Sequence, residues 1–154
     1  MDLKSLALLL ACAMGGIAHA HTASAEVPEG IWLISGEAAV QIFPCNSLLC
    51  GRILWLQAPR DPEGQLKRDT RNPDPALRQR ELCGLTVMRD LRSTGPNHWD
   101  DGWLYNPASG KTYNIKLELT SPDALVARLY VGASFIGETK SLSRVLHGTS
   151  EGWC

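Results

Sequence analysis

The densest run of chemistry-bearing side chains is Asp69-Thr70-Arg71-Asn72-Pro73-Asp74, followed closely by Arg78 and Arg80. An aspartate can orient an arginine, and the planar fork of an arginine can clamp a carboxylate or phosphate through two parallel hydrogen bonds. The same residue types have a purely structural use. Asp and Asn side chains accept hydrogen bonds from nearby backbone N–H groups and hold long loops together with no ligand present. Both readings stay open for Asp69, Asn72, Arg78 and Arg80.

A second set is aromatic: Trp32, Trp55, Trp99, Trp103, Tyr105 and Tyr113. On a barrel wall such rings offer apolar bodies with polar tips and can line a ligand pocket. They can equally fill the interior, because a small eight-stranded barrel can be packed solid by its side chains. Trp55, Trp103, Tyr105 and Tyr113 are the pocket candidates, with Tyr105 and Tyr113 foremost because they flank one hairpin.

Other chemistries find little support. His98 precedes Trp99-Asp100-Asp101, but a metal site needs convergent ligands and adjacent strand residues point to opposite faces. A solvated loop position is expected for it. Cleavage before His21 would create a copper-chelating N-terminal histidine, yet no second histidine completes a site, so neither metal nor cofactor is expected. No Gly-x-Ser-x-Gly elbow and no phosphate-cradling glycine loop occurs. No catalytic residue is assigned. The cysteines other than Cys12 are Cys45, Cys50, Cys83 and Cys154. Without a CxxC pair they suit disulfides better than zinc. Four cysteines allow three pairings. Cys45 and Cys50 could face each other across a hairpin with a four-residue loop, which would leave Cys83 for Cys154.

The elements that must position these residues begin behind an export signal. Lys4 is followed by an uncharged, largely apolar stretch from Leu6 to Ala18, too short to span a bilayer but suited to a signal peptide. Small residues permit cleavage after Ala20 or after Ala25. The chain is therefore expected to divide into a signal over 1–25, one β-barrel domain over 26–146 and a tail over 147–154. The whole chain has 154 residues, 44% hydrophobic and 20% charged, with a net charge of −1. That balance is ordinary for a folded domain, provides no basic face for nucleic acid and no stable membrane span once the signal is removed.

Lys111 to Leu119 alternates without a fault: Tyr113, Ile115, Leu117 and Leu119 against Thr112, Asn114, Lys116 and Glu118. Further strands are expected over 30–34, 38–43, 51–56, 85–91, 102–105, 124–131 and 138–145, separated by Gly, Pro, Asn and Asp. About eight antiparallel strands in up-and-down order would lose their exposed edges by closing into a barrel. The segment 57–84 is too long for a hairpin loop and rich in Arg, Asp and Pro, which marks it as functional or disordered. Asp74-Pro75 reads as the N-cap and first position of a short helix lying across one mouth of the barrel.

Four segments carry a family resemblance: Gly30-Ile31-Trp32; Leu49 to Leu56; Asp69 to Asp74 running through Arg78-Gln79-Arg80 to Leu82-Cys83-Gly84-Leu85; and Gly102 to Pro107 with Gly110 to Tyr113. Together they resemble the bacterial exported family known as domain of unknown function 2147. The resemblance implies a small lipocalin-like barrel and no particular reaction. The family pattern usually carries Trp two residues before an Arg near its end, where this chain has Leu142 before Arg144. The expectation is an exported, periplasmic barrel that binds a small-molecule or lipid-like ligand. Two other readings remain: a solid barrel acting as an envelope protein–protein interaction module, and an enzyme using the Asp69/Arg78 loop.

Overall fold

The computed structural model describes residues 27–145 and Cys154. The expected signal, and the tail apart from its last residue, lie outside the described residues. Eight strands follow in order: β1 (Gly30–Ile34), β2 (Ala38–Cys45), β3 (Leu48–Leu56), β4 (Thr86–Gly95), β5 (His98–Asn106), β6 (Lys111–Ser121), β7 (Ala124–Tyr130) and β8 (Gly137–Arg144). Each pairs antiparallel with the next, and β8 returns to β1, so the sheet closes into a barrel. Closure leaves no strand edge open, as the sequence pattern required.

The period-two pattern of β6 shows why the barrel has an inside. Ile115, Leu117 and Leu119 are buried, while Lys116 and Glu118 face outward. With Trp32, Ile42, Leu49, Leu91, Trp99, Leu125 and Leu142 they fill a continuous core. Arg144 closes the end of the barrel where the chain enters. Its guanidinium carbon lies 4.3 Å from the Trp32 ring centroid, and its nitrogens donate to the carbonyls of Pro122, Glu29 and Val27. The Trp32 indole donates in turn to Pro28. Leu142, standing where the family pattern has Trp, is simply part of the core.

Two local expectations are corrected. Cys45 pairs with Leu48 and Cys50 with Phe43, so the β2–β3 turn has two residues instead of four and the cysteines are offset, not opposite. Asn46, at φ 58°, supplies the left-handed residue that so tight a turn needs. Cys45 and Cys50 are still bonded, with Cα atoms 5.8 Å apart, as are Cys83 and Cys154 at 5.6 Å. The β4–β5 hairpin also runs further than its alternation suggested, placing His98 on a strand and not in a loop. Left-handed Asp90 and Asp101 and shifts of register between Trp99 and Gly102 break the period. His98 faces Glu118 across the sheet, an exposed pair 3.7 Å apart.

Up-and-down order places the β1–β2 and β5–β6 turns, the long β3–β4 connection and the β7–β8 loop around one mouth. The core fills the other half. What remains open lies at the mouth crossed by the long connection.

Candidate functional site

The β3–β4 connection has its own hydrogen-bonded order. Lys67 N–H donates to Pro59, Leu82 N–H to Lys67, and Asp69 N–H to Arg80, so residues 67–69 run between two flanking pieces of the same loop. The expected short helix is a single 3₁₀ turn over Pro75–Leu77, with the Asp74 side chain accepting from Ala76 N–H. The β5–β6 turn anchors the loop to the barrel. Arg71 Nη1 donates to the Ala108 carbonyl at 2.6 Å, and the Arg71 carbonyl lies directly against Gly110, which has φ +70°. A side chain at position 110 would strike that carbonyl and strain the backbone. Gly110→Ala is therefore expected to loosen the loop, seen as at least several-fold faster tryptic cleavage between residues 60 and 80 with the barrel intact. Unchanged cleavage would mean the contact does not hold the loop.

Asp69 is the centre of a buried knot and is fully excluded from solvent. Its Oδ1 accepts from the Tyr105 hydroxyl at 2.5 Å, and its Oδ2 accepts from Asn72 Nδ2 at 2.7 Å and from Arg80 at 2.8 Å. Arg78 joins through the Asn72 carbonyl, to which its Nε donates at 2.7 Å. Burial pushes the Asp69 carboxyl up, but the hydrogen bonds from Tyr105, Arg80 and Asn72, with the Arg80 charge, outweigh it and hold the carboxyl below its usual value. Burial, followed by the bond to Asp69 and that residue's charge, pushes Tyr105 up to about 12. The two groups meet the distance an acid–base pair requires, yet both are shifted away from neutrality. The carboxylate is also engaged by three donors, which suits a lock better than a proton shuttle.

Beside the knot, a cavity of about 830 Å³ opens at the loop-covered mouth. Its wall is aliphatic, with Ile34, Val40, Ile53, Leu104 and Leu129 from the strands. The loop contributes Lys67, Arg68 and Arg71, and Tyr105 bridges knot and cavity. The volume lies in the range of pockets for small organic ligands.

The sequence-derived candidates thus separate. Asp69, Asn72, Arg80 and Tyr105 meet in the knot, with Arg78 at its edge. Tyr105 alone among the eight binding candidates lines the cavity; Trp55, Trp103 and Tyr113 do not. Trp103 donates its indole N–H to Asp90 at 2.7 Å. The cavity-lining cations were missed because an irregular loop has no period to say which side chains turn inward. Lys140 also lines the cavity, and there a signal existed: alternation along β8 puts it on the same face as buried Leu142. Among the described residues, no group of three or more His, Cys, Asp or Glu side chains is placed to hold a metal ion.

Residues 30–144 match the family described as "Uncharacterized protein conserved in bacteria (DUF2147)". Among solved structures, the chain is similar to protein HP1028 from Helicobacter pylori, described as belonging to the lipocalin family. The likeness has a TM-score of 0.65 and 26% identity, covering 77% of this chain and 82% of that one. None of the curated proteins matches this chain.

Proposed function

Because the chain belongs to the DUF2147 family and folds as a lipocalin-like barrel, we propose that it is an exported, periplasmic carrier whose mouth cavity holds a small lipid-like ligand. The observation that carries this reading is the division of the barrel interior. A cluster of buried side chains occupies one half, while the other keeps about 830 Å³ open behind an aliphatic wall. A barrel built only as a scaffold gains stability by filling such space, since close packing is the rule in interiors. Two disulfides and a bacterial family fit an oxidising compartment. Among the described residues no helix is long and apolar enough to cross a membrane. In this reading the Asp69 knot holds the loop in place and Tyr105 forms part of the ligand wall.

The test is direct. Leu129 is half-buried in the cavity wall and belongs to a strand that the core already fixes. Leu129→Trp should push a bulkier ring from the wall into the cavity and weaken binding of the neutral apolar dye N-phenyl-1-naphthylamine several-fold. Saturable dye fluorescence that is identical in the wild type and the variant would place the dye elsewhere and sink the proposal.

A further inference from the structure

The cavity wall would accept any apolar chain, so selection must come from its polar rim. Four cations line the cavity, Lys67, Arg68, Arg71 and Lys140, against two carboxylates, Glu37 and Asp61. Lys140 is already paired, its ammonium 2.6 Å from Glu138. The three cations of the loop are different: among the described residues none of them forms an ion pair. Arg68 uses Nη1 to hold the Gln79 carbonyl, and Arg71 uses Nη1 to hold the Ala108 carbonyl. Each guanidinium is thus fixed in place while most of its five-donor fork stays available. Three such charges within five residues, beside a low-dielectric aliphatic wall, create a positive potential that an anion relieves. Asp69, the carboxylate within these five residues, is engaged by three donors and does not line the cavity, while Glu37 lies near Lys140.

We infer that the ligand is an amphiphile with an acidic head group, its chain against Ile34, Val40, Ile53, Leu104 and Leu129 and its head at Lys67, Arg68 and Arg71. The inference rests on the proposal that the cavity holds a lipid-like ligand and adds the head-group class. Arg68 and Arg71 offer the bidentate geometry that carboxylates and phosphates accept.

Calorimetric titration of the wild-type protein with dodecanoate, dodecanol and dodecyltrimethylammonium, each below its aggregation limit, separates the chain from the head. Dodecanoate should bind at least tenfold tighter than dodecanol, the ammonium weakest, and added salt should erode the advantage of the acid. Lys67→Met, and separately Lys67→Met with Arg68→Met, should shrink the ratio of dodecanoate to dodecanol affinity several-fold. Equal or tighter binding of dodecanol would overturn the head-group inference and leave the cavity proposal standing. Binding of none of the three would overturn both.

Discussion

Cys83→Ser lowers the stability of the oxidised protein by about 4 kcal/mol, whereas Cys45→Ser lowers it by about 2. The difference follows from the lengths of chain closed by the two bridges. Cys83–Cys154 joins residues 71 apart in sequence and Cys45–Cys50 joins residues 5 apart. The longer loop removes more freedom from the unfolded chain, by the logarithm of its length. The long bridge also has a local role, because Cys83 ends the β3–β4 connection just before Gly84 N–H donates to Ile53. Urea unfolding of both variants without reductant measures the effect. Equal losses, or a free thiol at Cys154 in the oxidised wild type, would contradict the pairing.

The second large effect centres on Asp69. Removing its carboxylate in Asp69→Ala leaves the Tyr105 hydroxyl and the Asn72 amide without their acceptor in a buried site. An unsatisfied buried donor costs about 1–3 kcal/mol, so the variant should lose about 3 kcal/mol and on the order of 10 °C in Tm. Arg80 adds less, since its side chain is 41% exposed and water can solvate it. The knot also has a pH signature. Asp69 has a folded-state pKa held below its reference of 3.8, so its contribution is present above about pH 4 and is lost as pH falls through the lower folded value. Tyr105 is raised from 10.0 to about 12, so its contribution is whole below pH 10 and lost as pH climbs through about 12. Asp69→Asn should flatten the acid limb and Tyr105→Phe the alkaline limb of stability against pH. Wild-type limbs retained in both variants would show that the knot does not hold the fold.

The regular part of this barrel is legible because alternation is a direct consequence of strand geometry. The alternation over Lys111 to Leu119 is found in β6, which runs two residues further to Ser121, and Asp74-Pro75 announces the 3₁₀ turn because cap and first-turn chemistry are local. His98 lies on β5 and not in the expected loop for an equally physical reason. Left-handed Asp90 and Asp101 bend β4 and β5 out of period, and a residue-by-residue alternation cannot pass a bulge. The polar cluster was legible as a cluster, since Asp69, Asn72 and Arg80 do meet. Which arginines face the cavity was not. That depends on the path of an aperiodic loop fixed by Tyr105, Ala108 and Gly110, residues far away in sequence. The aromatic signal also divided: Trp32 and Trp99 fill the core, while Tyr105 reaches the cavity.

Native mass spectrometry of the purified protein, compared with its denatured mass, tests the central claim most directly. The account predicts an added mass that survives gentle ionisation, disappears on denaturation and is carried by a smaller fraction of Leu129→Trp. A bare-chain mass, under conditions that preserve the complex of a known lipid-binding barrel, would contradict it.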